Sequence, residues 1–417
     1  MDKKFYVIYC TVGYFIHFFC MYFLYKNIYL VRNMFFNMVR YVFILGRNPE
    51  LSLKELKCYF KRSDFDLSES DFVIREGAVL VDLDKSLDAD AIDFLGGVLS
   101  IGVVFCKIKD IDKKEIYMGE KNNFNYAIWD FSSGEAEDVR DYLKSRFRKE
   151  KLKASEKKLR FDLDLQSSGS NEFSEGKKEK GMKLSSKVDE EYFVFGDYFG
   201  KIIQKCDYKK IEESDMNKPV RRESLSISPR LVKIMINLSE IKEGEILLDA
   251  FCGVGVVLSE GLSQNLKVVG IDRDAKAIDG AKENLEWFKF LKENYRLIND
   301  DSSRVEIYGG FDVLVSEPDF GETLKKIPTL DKAKEMLKRY EKIMTAVFSN
   351  VKKYLHEGKK GRFVFTSPYI RIGKKRVGVD LEVLAKKVGM NLVEGFPIAE
   401  FREGQIVGRQ VVVFEKI

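Results

Sequence analysis

"LLDAFCGVGVVLSEG", residues 247–261, decides the fold. An apolar run ends on Asp249, and Gly253 and Gly255 break the chain before a helical stretch begins. Strand, glycine turn and helix in that order open a parallel α/β sheet, and the glycines let backbone come close to a ligand. The third glycine of a G-x-G-x-x-G fingerprint is missing, because Leu258 stands in its place. That counts against a dinucleotide site, whose third glycine supports tight helix packing.

Working outward, the alternation repeats. "KVVGIDRD" is a strand ending at Asp272, "YRLINDDSS" a strand followed by Asp300 and Asp301, and "FDVLVSEP" a fourth strand. A long helical run, 330–358, leads to the strand "GRFVFTSP", and residues 391–417 read as a closing hairpin. Strands alternating with helices predict an α/β fold with a mostly parallel sheet and an antiparallel last strand. Its ligand belongs at the carboxyl ends of the strands. An acid ahead of the glycines is wrong for a pyrophosphate and right for a cationic ligand. The amino-acid end of S-adenosylmethionine, with its ammonium and sulfonium, is such a ligand. Asp272 can accept both ribose hydroxyls, and Asp301 or Asp300 can accept from an adenine amino group. The bland alternative for each acid is a helix N-cap.

The fourth strand ends unusually, on Glu317-Pro318-Asp319-Phe320-Gly321. A plain turn needs only the Pro and the Gly. This strand end resembles the acid-Pro-Pro-aromatic motif that ends the fourth strand in methyltransferases acting on exocyclic amino nitrogens of bases, poor nucleophiles with a delocalised lone pair. An acceptor against the N–H groups holds the amine, Pro318 stiffens the turn, and Phe320 stacks on an extruded base. Glu317, Pro318 and Phe320 are therefore the candidate catalytic residues.

The remaining chain is less regular. A net charge of +5 over 417 residues is too weak to establish nucleic-acid binding by itself. Six scattered cysteines without a C-x-x-C pair fit a reducing, cytoplasmic setting and no zinc site. With only His17 and His356, histidine-based chemistry is disfavoured and no metal is expected. Residues 5–25 carry no Asp, Glu, Lys or Arg. At roughly 20 apolar residues they are long enough to cross a bilayer. Segment 1–37 thus reads either as a membrane anchor or as residues upstream of a true start at Met34 or Met38.

Residues 38–115 show a compact α/β pattern, in which Ser52 and Glu55 look like a capping box for a helix. Residues 116–217 form a second unit. There a helix over 135–154 gathers Arg146, Arg148, Lys149, Lys151 and Lys153, with Lys157 and Lys158 following, before a polar, mobile loop near 164–185. These cations make either a phosphate-facing surface or an ordinary solvated face.

"KPVRRESLSISPRLVKIMINLSEIKEGEILLDAFCGVG", 218–255, resembles the entry to the catalytic domain of the archaeal-type tRNA (guanine(10)-N2)-methyltransferase family. "RYVFILGRNPELSLKEL" resembles that family's N-terminal ferredoxin-like unit, and "MKLSSKV" is a local match within a THUMP RNA-binding domain. The resemblance implies a Rossmann-like class I methyltransferase domain over 218–417, ferredoxin-like and THUMP units over 38–115 and 116–217, and tRNA as partner. It implies S-adenosylmethionine as cofactor, held by Asp249, Phe251, Gly253, Gly255, Asp272 and Asp301. The family pattern is Asp-Pro-Pro-Tyr-Gly, so this chain departs from it. The longer Glu317 must retract, Asp319 adds charge where a neutral base must sit, and Phe320 keeps the ring without the hydroxyl. Activity with shifted geometry, another target base, a DNA adenine-N6 methyltransferase and a non-catalytic RNA-binding protein all stay open on these residues.

Overall fold

A computed structural model describes residues 38–117, 119–157, 188–222, 227–321, 324–401 and 404–416. The apolar segment 1–37, the loop near 164–185 and all but the last residue of "MKLSSKV" lie outside the described residues. Among the described residues no helix is long and apolar enough to cross a membrane.

The described residues form two sheets. The first contains β1 (Val39–Leu45), β2 (Val73–Arg75), β3 (Ala78–Leu83), β4 (Val98–Lys107), β5 (Asn123–Phe131), β6 (Lys153–Glu156), β7 (Glu190–Phe195) and β8 (Tyr198–Lys205). Its order is β2-β3-β1-β4-β8-β7-β5-β6, so the antiparallel β4–β8 pair joins the two halves into one continuous sheet. The helix expected over 135–154 ends at Lys149. Lys151 takes φ +59, and Lys153 starts β6, which pairs parallel to β5. The cations in that run therefore divide between a helix, a turn and a strand. Arg146 turns back to Glu150 and Tyr142.

The second sheet contains β9 (Ile246–Asp249), β10 (Lys267–Asp272), β11 (Tyr295–Asn299), β12 (Val313–Ser316), β13 (Phe363–Ile372), β14 (Lys375–Val377), β15 (Met390–Leu392), β16 (Ile398–Glu400) and β17 (Val407–Lys416). Its main order is β11-β10-β9-β12-β13-β17-β15. The run from β11 to β13 is parallel, and β17 is antiparallel to β13. Apolar clusters cover both faces. Helix Leu330–Val351 buries Tyr340, Met344, Val347, Phe348 and Val351 against one face, a helical stripe at the three- and four-residue spacing. Helix Pro229–Leu238 covers the other. The strand order reverses between β9 and β12, and a crevice opens there at the carboxyl ends of the strands.

The first sheet's helix Pro49–Arg62 docks on helix Pro229–Leu238. Asn48, not Ser52, caps it. Pro49, with no N–H and a fixed φ, starts the helix four residues earlier than a Ser52 cap would. Ser52 is buried inside the first turns and bonds back to the Asn48 carbonyl. Glu55 is fully buried and has a different task. It accepts from the backbone N–H groups of Gly96 and Gly97 at 2.6 and 2.7 Å, and from Asn237 Nδ2 at 3.0 Å. A Cβ on Gly96 would lie 1.9 Å from the Arg230 carbonyl oxygen, so only glycine permits this approach.

Candidate active site

Asp249 ends β9 and is 1% exposed. Its Oδ1 accepts from Ser316 Oγ at 2.5 Å and from Phe251 N at 3.1 Å. Burial pushes this carboxyl up to about 7, against the pull of those two hydrogen bonds. The following helix, Val256–Leu262, is capped by Gly255, so Asp249 is not an N-cap. Gly255 takes φ +87 beside Ala281, whereas Gly253, at φ +50, has open space where a Cβ would stand. Backbone is bare there on the cleft side.

Asp272 ends β10 and accepts from Gly253 N and Asp274 N, each at 2.9 Å. It thereby fixes the glycine loop. Asp274 caps helix Ala275–Trp287, which releases Asp272 from the capping role as well. Asp301 behaves more blandly. Its Oδ1 accepts from Ser303 N and Ser303 Oγ at 2.9 and 2.8 Å, which hold its carboxyl below the usual range. Phe251 is half-buried and lines the same cleft as these acids.

Glu317 follows β12, so its carboxyl lies one strand from Asp249. Arg409 Nε on β17 donates to its Oε1, and Thr366 Oγ1 on β13 lies 3.5 Å from the same oxygen. Burial pushes the Glu317 carboxyl above its ordinary value, while Arg409 pulls it back. Pro318 is buried. Phe320 meets Tyr340 edge-to-face with centroids 6.1 Å apart, so the ring is braced from the helix Leu330–Val351. Asp319 is exposed and lines the cleft, and its Oδ1 accepts from Gly321 N at 2.8 Å in a local turn, Gly321 taking φ +90. It supplies the turn chemistry that a second Pro would otherwise fix.

Eight of the nine expected residues line one cleft of about 1880 Å³; Gly255 lies behind it, against Ala281. That exceeds the roughly 300–1,000 Å³ of a pocket for one small ligand. It has room for a cofactor and a second, bulky reactant. The first sheet's unit closes one side, through Asn48 and Gly97. Asn48 Nδ2 donates to the Ala399 carbonyl at 2.9 Å and to Glu400 Oε2 at 2.8 Å, and Arg47 pairs with Glu400. The sequence reading missed Ser316, Thr366, Arg409 and Asn48. Ser316 directly precedes the motif and was in view. Asn48 and Arg409 line the cleft, and Thr366 stands behind Glu317, only through tertiary pairing.

A family profile described as a methyltransferase domain matches residues 241–387. The tRNA (guanine(10)-N2)-dimethyltransferase of Methanothermobacter thermautotrophicus is 34% identical over 96 residues, 23% of this chain and 28% of that protein. The enzyme of the same name from Methanocaldococcus jannaschii is 31% identical over 115 residues, 26% of this chain and 33% of that protein. The matched stretch thus spans a third or less of these relatives' length. The crystal structure of TrmN from Thermus thermophilus shares the fold, with TM-score 0.51 and 13% identity over 91% of this chain and 100% of that one. The bare backbone at Gly253, the buried acid at Asp249 and the acid at Asp272 fit S-adenosylmethionine, with its cationic amino-acid end and ribose diol. Residues 241–387 match a methyltransferase domain on a class I, Rossmann-like fold, and S-adenosylmethionine is the cofactor such a domain takes.

Proposed function

We propose that this chain is an RNA methyltransferase that modifies the exocyclic N2 of a guanine in tRNA. The observation that carries the reading is the position of Glu317 and Phe320. They stand at the strand-order reversal, in the same cleft as Asp249, Gly253 and Asp272. The similarity to archaeal tRNA guanine-N2 enzymes supports the choice of base and of RNA.

When bound, the cofactor supplies an electrophilic methyl group: the N–C bond forms as the S–C bond breaks, and the amine proton leaves to water. The chain's own residues position the reactants. Asp249 and Asp272 hold the cofactor's amino-acid and ribose ends. Glu317 accepts from the target N–H and favours pyramidalisation of the nitrogen as the methyl arrives. Phe320, braced by Tyr340, gives the extruded base a fixed stacking face. The units over 38–115 and 116–217 grip the tRNA, and the Asn48 loop brings that grip to the edge of the cleft. A cytoplasmic setting fits this substrate.

The test is transfer of labelled methyl groups to total tRNA and, in parallel, to duplex DNA, followed by nucleoside mapping. N2-methylated guanosine in tRNA is the expected product. N6-methyladenine in DNA would replace this reading with the DNA alternative, and no transfer to either would leave a binding protein.

A further inference from the structure

Glu317 is one methylene longer than the aspartate of the related pattern, and the structure shows what takes up the extra length. The carboxyl folds toward β17, where Arg409 Nε meets Oε1. Arg409 stands opposite Pro368 of β13 in the antiparallel register, and Val411 stands opposite Thr366. Residues two apart share a sheet face, so Arg409 and Thr366 approach Glu317 from one side. Both partners meet the same oxygen, Oε1, and so hold that atom on the β17 side.

The pair stands among further charges. Asp249 from β9 raises the electrostatic cost of a second anion, and Tyr340 approaches from helix Leu330–Val351. Glu400 of β16 lies opposite Arg409 in register, but Arg47 and Asn48 already engage it. The buried Asp249 and the largely buried Glu317 therefore sit one strand apart, and Arg409 is bonded to the one nearer the acceptor side. A buried carboxylate without a partner takes up a proton, because desolvation disfavours the anion. Protonation would replace the anionic acceptor that the amine's N–H groups need with one O–H donor and a weaker, neutral acceptor.

We infer that Arg409 is a positioning residue, which locks the Glu317 carboxylate in its ionised, retracted form and so lets the longer acid serve the acceptor amine. This rests on the reading of Glu317 as the amine contact. Arg409 touches neither reactant in this account; it acts through Glu317. The departure from aspartate and the arginine on β17 then form one matched device.

The test uses the full chain with Arg409→Gln, Arg409→Lys and Glu317→Gln. Carbon-13 NMR of glutamate-labelled protein follows the Glu317 carboxyl, assigned by its loss in Glu317→Gln. In Arg409→Gln its titration should move up by about one unit or more, the scale for an adjacent opposite charge. Arg409→Lys, which keeps the charge but not the fork, should lie between. Methyl transfer to tRNA should show its acid limb displaced upward by the same amount, the rate falling in proportion to the carboxylate lost. Cofactor affinity should stay within about twofold. An unmoved carboxyl titration overturns the inference, whatever the activity. A moved titration with an unchanged acid limb also overturns it, because the pair would then be structural only. If the wild type methylates no RNA while the titration still moves, the functional reading fails and the positioning role falls with it.

Discussion

Ser316 Oγ donates to Asp249 Oδ1 across 2.5 Å, joining the last residue of β12 to the last residue of β9. The strand order reverses between those two strands, so this hydrogen bond crosses the crevice floor. Ser316 is fully buried and Asp249 nearly so. One serine thus ties the cofactor end of the cleft to the strand that delivers Glu317. Parallel pairing sets the two termini side by side, with Leu314 in register with Leu248.

Asp249 gives the first prediction. Its carboxyl is pushed up to about 7 by burial, so near neutral pH a fraction is protonated in the free protein. A cationic ligand demands the anion. Cofactor affinity should therefore rise as pH climbs from 6 to 8, and binding near pH 7 should release a proton. Calorimetry in two buffers of different ionisation enthalpy measures that release. Asp249→Asn should abolish the release and weaken binding by tenfold or more, the scale of about 1.5–3 kcal/mol for a hydrogen bond to a charged group. Equal proton release by the mutant would show that another group titrates.

Glu317→Ala separates binding from chemistry. The carboxyl is linked to Arg409 and Thr366, and no hydrogen bond joins it to the glycine loop. Cofactor affinity should stay near wild type, while methyl transfer to tRNA falls by about two orders of magnitude, the scale for one preorganised polar group. Glu317→Asp should keep more activity than Glu317→Ala, yet less than wild type, because the shorter acid cannot reach Arg409. Wild-type turnover by Glu317→Ala would remove this residue from the mechanism.

The contact between the two sheets' units gives a third. A Cβ on Gly96 would meet the Arg230 carbonyl oxygen at 1.9 Å, and both partners are backbone. Neither can rotate away, so helix Pro229–Leu238 must shift. Gly96→Ala should cost about 1–3 kcal/mol or more in overpacking and lower the thermal midpoint. Because Gly97 and Asn48 line the cleft, tRNA methylation should drop further than cofactor binding does. A mutant with an unchanged midpoint and activity would mean that this approach is not maintained in solution.

The strand-end acids were legible in the sequence because strand, turn and helix signals are local. Asp249, Asp272 and Glu317 needed only periodicity and position to be found. Other features were out of reach for a definite reason. Arg409 lies 92 residues from Glu317, and nothing around it in sequence marks it. Glu55 was misread for the opposite reason. Its spacing from Ser52 satisfies a local capping rule, but Pro49 moved the helix start and freed Glu55 for contacts with Gly96, Gly97 and Asn237. Asp319 lines the cleft as its position suggested, and its turn contact with Gly321 N became visible only with the backbone. Local rules identify which residues can act; pairing across 40 or more residues decides which of them do.

His356 supplies the last prediction. Its Nδ1 faces Asp312 Oδ1 and its Nε2 faces the Gly309 carbonyl, both at 2.9 Å. Two acceptors around one ring favour the form with two N–H donors, the imidazolium. The Asp312 carboxylate accordingly raises the His356 pKa above its ordinary 6.5. A group whose pKa is raised on folding stabilises the native state fully below its unfolded value and loses that contribution as pH passes the folded value. The loss must therefore fall above pH 6.5, in the neutral to mildly alkaline range. Asp312 also accepts from Ile246 N at 2.7 Å, so the start of β9 should loosen with the pair. Urea midpoints measured at pH 6, 7 and 8 should decline in the wild type and decline less in His356→Gln. The ring is partly exposed, so the effect should be modest and should shrink in high salt. If wild type and His356→Gln show the same pH dependence, the imidazolium does not form between Asp312 and Gly309.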